Sequence, residues 1–232
     1  MALSSAYADL FAPFEYGTCH RPFIVAQLGQ SLDGRIATAN GDSKYINGSA
    51  ALDHLHRIRA HVDAVVVGVG TVLADDPLLT VRRVEGRSPA RIIIDPNGRL
   101  PPTAKCLAED GAWRCIVRAK VAPVPDGVDE IRLDTTNGAL SPQSIITALG
   151  QRGFRRILVE GGSRTISAFL EAGAIDRLHV LIAPVLLGSG KSALELKPVE
   201  AISQALRPAA RAHVLADGDV LFDCDMRRGK GV

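Results

Sequence analysis

The residues best placed to do chemistry in this 232-residue chain surround two glycine turns. The first is Gly68-Val-Gly70, with Thr71, Asp75, Asp76 and Arg82 downstream of it. The second is Gly161-Gly162, preceded by Glu160 and followed by Ser163, Arg164 and Thr165. Glycine lets a backbone turn tightly and approach a ligand where a Cβ would stand in the way. A helix that begins just after such a turn offers unpaired N–H groups and the positive end of its dipole, which suits a phosphate. An arginine nearby adds a fork that matches the same anion. Taken alone, each turn also fits a plain strand-to-helix connection with a solvated tail, and the residues leave both readings open.

Both turns need a strand in front of them. Val65-Val66-Val67 is a β-branched apolar run closed by Gly68, the pattern of a buried central strand, and Arg156–Glu160 ends in the same way at Gly161. Open α/β sheets bind ligands beyond the carboxyl ends of such strands. Further strands are expected over Phe23–Leu28, Arg91–Asp95, Cys115–Arg118, Val128–Leu133 and Asp176–Pro184. A closing hairpin is expected over Arg211–Ala216 and Asp219–Cys224, turning at Asp217-Gly218. The spacing of Leu52, Leu55, Ile58 and Val62 predicts a helix over Ser49–Val62 with that stripe facing the core and Ser49 as its N-cap. Ser141–Leu149 forms another helix, and a third starts near Ser163 with Ile166, Phe169 and Leu170 inward. Strands alternating with helices and finishing in an antiparallel pair describe an α/β fold with a mostly parallel central sheet. Residues 1–20 read as an extension, loosely ordered or laid over a neighbour, ahead of one domain over residues 21–228.

Several function classes drop out. A net charge of +2 provides no basic field for nucleic acid. No apolar run approaches the ~20 residues of a membrane span, and no signal peptide opens the chain. The four cysteines form no C-x-x-C pair and read as reduced, mostly buried thiols of a cytoplasmic protein. His54 and His56 lie on different faces of their helix and make a poor metal pair. A Rossmann fingerprint fails because Leu73 stands where its third small residue is needed and Pro77 stops the long helix. Leu187-Gly-Ser-Gly-Lys-Ser192 ends like a P-loop, but Val185 occupies the place of the first glycine.

Four motifs fall in one order: Ser31-Leu-Asp-Gly-Arg35, Gly70-Thr-Val-Leu-Ala-Asp-Asp-Pro-Leu-Leu-Thr-Val-Arg82, Val159-Glu-Gly-Gly162 and Ala183-Pro-Val-Leu-Leu-Gly188. Together they resemble the reductase family of riboflavin biosynthesis (the RibD C-terminal domain type, in its stand-alone form), whose patterns there include S-L-D-G-K/R, G-T-V-L-x-D-D-P-x-L-T-V-R and V-E-G-G. The resemblance covers residues 23 to about 190. It implies a dihydrofolate-reductase-like fold, a homodimer, and NADPH-dependent reduction of the ribosyl group of a pyrimidine ribosylamine 5′-phosphate to ribityl.

By position, the resemblance assigns Gln30, Ser43, Tyr45, Thr71, Asp75, Gly161, Gly162, Ser163, Arg164 and Thr165 to the NADPH. It assigns Gln27, Arg59, Leu79, Arg82 and Glu160 to the substrate, with Glu160 as proton donor or orienter and no metal. Gln27 stands where bacterial members often carry Lys and archaeal ones Asn. The H-x-E and P-C-x-x-C patterns of the zinc deaminase that accompanies bacterial reductases are missing from this chain. Two other readings share parts of this pattern: a dihydropterin-type reductase on the same fold, and a non-catalytic nucleotide-binding module.

Overall fold

Short Val- and Ile-rich runs bounded by Gly or Asp are too brief for helices and pair into a sheet. The computed structural model describes residues 9–18, 20–136 and 138–227. In chain order the strands are β1 (Phe23–Ser31), β2 (Arg35–Thr38), β3 (Ala64–Gly68), β4 (Ala90–Ile94), β5 (Arg114–Arg118), β6 (Asp129–Arg132), β7 (Thr135–Thr136), β8 (Ala139–Leu140), β9 (Arg156–Glu160), β10 (Arg177–Ala183), β11 (Gly190–Ser192), β12 (Ala209–Val214) and β13 (Val220–Asp225). The α-helices are α1 (Ser49–His61), α2 (Val69–Asp75), α3 (Pro142–Gly150) and α4 (Ser163–Glu171). One nine-stranded sheet has the order β12-β13-β10-β1-β9-β3-β4-β5-β6. Neighbours from β10 to β6 run parallel, and β13 and β12 close the sheet antiparallel. This is the sheet that the alternating pattern implies.

Both faces of the sheet are covered, which is why its central strands are apolar without interruption. On one face Ile24, Ala26, Val66, Ile157 and Val159 pack with Ile145 and Leu149 of α3 and Ile166 and Phe169 of α4. On the other, Phe23, Val25, Val65, Val67 and Leu158 pack with Ile58 of α1 and Val69 and Val72 of α2. Cys106, Cys115 and Cys224 are free and buried, and burial pushes the Cys115 thiol up to about 12. Cys19 lies outside the described residues. Among the described residues no helix is long and apolar enough to cross a membrane.

Three local expectations are corrected. Part of the N-terminal extension belongs to the core. Leu10, Phe11 and Phe14 are buried in the second cluster, and Phe11 stacks on His61 at 4.4 Å between ring centroids. Residues 1–8 are outside the described residues. Helix α1 is capped from a distance: its N-cap is Gly48, which has no capping side chain, and Ser49 is the first helical residue. Asp219 Oδ2 accepts from Gly48 N at 2.9 Å and Asp217 Oδ2 from Ala50 N at 2.7 Å, so the closing hairpin supplies the acceptors. The expected stripe of α1 holds at Leu55, Ile58 and Val62 but not at Leu52, which is exposed, and Ala51, His54, His56 and Arg59 are buried too. The polar residues among them are buried because each finds a partner beyond the helix.

Candidate active site

Strand β9 stops earlier than its neighbours. Its ladder with β1 ends at Gln27–Glu160, while β1 continues to Ser31 against β10. Its ladder with β3 ends at Val66–Val159, while β3 runs on to Gly68 against β4. A short strand between longer ones leaves a notch at the carboxyl end of the sheet, with Glu160 and the Gly161-Gly162 turn as its floor.

Helix α1 reaches this floor through Arg59. Its Nε donates to Glu160 Oε1 at 2.6 Å, Nη2 to Oε2 at 2.7 Å and Nη1 to Thr80 O at 3.0 Å. The two side chains are 6% and 8% exposed. Charges this far from water offset their desolvation only when both prongs are made and the remaining donors are satisfied. Gln27, in register with Glu160 on β1, is also buried. Arg82 is exposed and makes no salt bridge among the described residues. Partial burial and the guanidinium charges of Arg59 and Arg83 hold its pKa below the usual value, against the pull of Glu160.

The second glycine turn is built against the first. Gly161 has φ +115°, and a Cβ there would come within 2.6 Å of Thr71 Oγ1. Gly162 N donates to that same hydroxyl at 2.9 Å. A Cβ on Gly68 would meet Thr165 Oγ1 at 2.4 Å. Strands β3 and β9 are thereby drawn together at their ends, and α4 starts directly behind the turn. At Gly162, φ is −69° and a Cβ would meet only Thr71 Oγ1, at an ordinary contact distance of 3.5 Å, so the protein leaves room for a side chain there. The first N–H groups of α4, from Ser163 and Arg164, have no preceding turn to accept them. A cradle of this kind suits the pyrophosphate of a dinucleotide.

Three loops frame the notch. Ser43 Oγ donates to Asp75 Oδ1 at 3.2 Å, tying the loop after β2 to the end of α2. Asp33 accepts from Ser31 Oγ at 2.6 Å, Leu187 N at 3.1 Å and Gly188 N at 2.7 Å, which fixes the loop after β10 beside the end of β1. These hydrogen bonds, Ser31 first, hold the Asp33 carboxyl down to about 2. A crevice of about 700 Å³ lies at the opposite end of the sheet beside Asp63, Asp110 and Trp113. Its carboxylates are already paired, Asp63 with Arg156 and Asp110 with Arg91.

The sequence profile of the RibD C-terminal domain matches residues 22–217. The chain belongs to that family. The chain is 36% identical over 192 residues to the 2,5-diamino-6-ribosylamino-4(3H)-pyrimidinone 5′-phosphate reductase of Methanothermobacter thermautotrophicus, covering 79% of this chain and 87% of that one. It spans about half the length of the curated RibD proteins it matches. Among solved structures, a diaminohydroxyphosphoribosylaminopyrimidine deaminase/5-amino-6-(5-phosphoribosylamino)uracil reductase from Thermotoga maritima superposes with a TM-score of 0.76. It is 30% identical, covering 88% of this chain and 56% of that one. A dihydrofolate reductase from Enterococcus faecalis shares the fold at a TM-score of 0.53 and 13% identity. The fold is dihydrofolate-reductase-like.

Within this RibD C-terminal domain, the residues singled out from sequence fall into groups. Glu160, Arg59 and Gln27 converge at the floor, and Thr71, Gly161, Gly162 and Thr165 form the double turn. Ser43 and Asp75 meet at one wall, and Gln30 is half-buried near the end of β1. Two residues depart from the pattern. Leu79 is 1% exposed with its side chain in the core and φ +57°, so only its backbone remains for a ligand. Tyr45, at φ +64°, is 90% exposed. Ser163 donates its hydroxyl to Glu195 Oε1 at 2.8 Å, and Arg164 is exposed.

Sequence reasoning missed Glu195, Asn47 and His56. Asn47 Nδ2 donates to Asp219 Oδ2 at 3.1 Å, and the Asn47 side chain fills the space a Cβ on Gly29 would need. His56 Nδ1 accepts from Arg82 N at 3.1 Å. Only the spacing of His56 three residues before Arg59, on one face of α1, could have pointed to it.

Proposed function

We propose that this chain catalyses NADPH-dependent reduction of the ribosyl group of a pyrimidine ribosylamine 5′-phosphate to the ribityl group, a step of riboflavin biosynthesis. The observation that carries this reading is the placement of the Arg59–Glu160 pair beside the Gly161-Gly162 turn at one strand end. Positioned polar groups for a sugar phosphate and a cradle for a dinucleotide share one notch. What the dinucleotide supplies when bound is a hydride for the sugar C1′, made electrophilic by ring opening.

The chain's own residues bind and orient. Gly162 and the first turn of α4 would hold the pyrophosphate, with Thr71 keeping the turn in shape. Arg82, free of any salt bridge among the described residues, would take the substrate phosphate. Both oxygens of Glu160 accept from Arg59, which supports an orienting role over that of proton donor. The expected work of the protein is to hold two partners in contact and shield them from water.

The reading extends to a homodimer working in the cytoplasm. Strand β12 supports the dimer: it is an edge strand whose residues are almost all exposed, leaving backbone groups open to a second copy. The free buried thiols support the reducing compartment.

The test follows loss of the reduced-nicotinamide absorbance with NADPH or NADH. The substrates offered are the ribosylamino-pyrimidine phosphate before deamination, the same compound after it, and dihydropterins. Oxidation of NADPH with one pyrimidine supports the reading and identifies the substrate. Turnover with a pterin alone overturns the substrate, and silence with all three despite NADPH binding overturns the reaction.

A further inference from the structure

Residues 76–82 form no helix or strand, so side chains must satisfy much of their backbone. One face of α1 does this. Ser49, Asp53, His56 and Arg59 follow one another at intervals of four and three, and therefore line a single side of the helix. Arg83 Nη2 donates to Ser49 Oγ and Arg83 Nε to Asp53 Oδ1, both at 2.6 Å. Arg82 N donates to His56 Nδ1 at 3.1 Å, and Arg59 Nη1 donates to Thr80 O at 3.0 Å. The loop thus runs antiparallel to the helix and is pinned at successive residues. Two arginines of this group are neutralised, Arg59 by Glu160 and Arg83 by Asp53. Arg82 is left over, and its backbone is set by His56.

We propose that His56 is a positioning residue, whose neutral imidazole fixes the backbone of Arg82 so that its guanidinium meets the substrate phosphate. This rests on the reading of Arg82 as the phosphate ligand. The ring can accept at Nδ1 only when it is neutral with its proton on Nε2. An imidazolium would turn a donor toward the Arg82 N–H and break the pin. The surroundings oppose that change. His56 is 2% exposed, with Arg59 on its own helix and Arg82 and Arg83 on the loop, against Asp53 alone. Burial first, and then those three guanidiniums, lower its pKa to about 4.

The experiment compares His56→Leu, His56→Asn and Arg82→Ala by steady-state kinetics, with NADPH affinity as the check on folding. Asparagine places an amide oxygen close to where Nδ1 lies and can accept the same hydrogen bond. His56→Leu is expected to raise KM for the phosphorylated substrate by roughly tenfold, with a smaller change in kcat, NADPH affinity retained, and no further rise when combined with Arg82→Ala. His56→Asn is expected to restore most of KM. If Arg82→Ala leaves KM unchanged, the phosphate reading fails first. If Arg82→Ala raises KM while His56→Leu, still binding NADPH, does not, the positioning role alone is overturned. Should His56→Leu not fold, His56→Asn is set against His56→Gln, whose amide lies a bond too far, and equal KM values overturn the proposal.

Discussion

Arg59 and Glu160 are 101 residues apart in the chain and meet as a two-pronged pair at the floor of the notch. One comes from the last turns of α1 and the other is the last residue of β9. The pair joins α1 to the strand that carries the Gly161-Gly162 turn. A change at either residue is therefore read by both elements.

Glu160→Gln keeps one acceptor for Arg59 and removes the charge. Turnover is expected to fall by more than about tenfold, with NADPH affinity changed less. Arg59→Ala strands a buried carboxylate and is expected to cost about 3–5 kcal/mol of stability, seen as a lower thermal midpoint. Normal turnover in Glu160→Gln would remove that residue from the chemistry.

Arg82→Ala is expected to raise KM for a phosphorylated substrate by more than tenfold, a charge-assisted contact being worth ~2 kcal/mol or more. The dephosphorylated compound is expected to bind the variant and the wild type alike. A KM that does not move would put the phosphate elsewhere.

The two glycines of the turn are expected to fail in different ways. Gly161→Ala forces a side chain into φ +115° and against Thr71, so it is expected to lower the melting temperature. Gly162→Val has an ordinary φ and no close protein neighbour, so the protein is expected to fold. Its dinucleotide binding is expected to be lost, because the new side chain occupies the cradle. Calorimetric titration with NADPH separates the two, and retained binding in folded Gly162→Val refutes the cradle.

Stability is expected to decline on mild acidification. His54 Nε2 lies 3.0 Å from His179 Nδ1, and His179 faces Asp223. Burial, and next the neighbouring His179, hold the His54 pKa well below 6.5, and His56 is lowered to about 4. Both rings are freer to take a proton in the unfolded chain, so unfolding binds protons as the pH drops below about 6.5. Two such groups give a slope of up to about 2.7 kcal/mol per pH unit. Denaturant melts between pH 7 and 5 measure it, and a flat profile would show that neither ring is held neutral.

The sheet was legible because its signal is local. Val65–Val67 and Arg156–Glu160 announce buried strands by β-branching and length, and the structure places them at the centre. Much of the site is carried by the same strand ends, so Glu160 and the glycines were visible as well. The apolar stripe of helix α1 was legible at Leu55, Ile58 and Val62, which pack on the core, but not at Leu52. What the stripe did not announce is that His54, His56 and Arg59 are buried as well, through His179, the Arg82 N–H and Glu160. Partners from 26 to 125 residues away leave no trace in helical periodicity. At Leu79 the motif did not announce the positive φ or the burial of the side chain.

The capping of α1 by Asp217 and Asp219 bears on the order in which the site can form. The helix that delivers His56 and Arg59 has its first N–H groups satisfied by acceptors 167 and 171 residues further along the chain. On a ribosome, α1 emerges long before those acceptors exist. The notch therefore becomes complete only as the closing hairpin docks, and a nascent chain stopped short of it carries Glu160 and both glycine turns without a fastened wall opposite them.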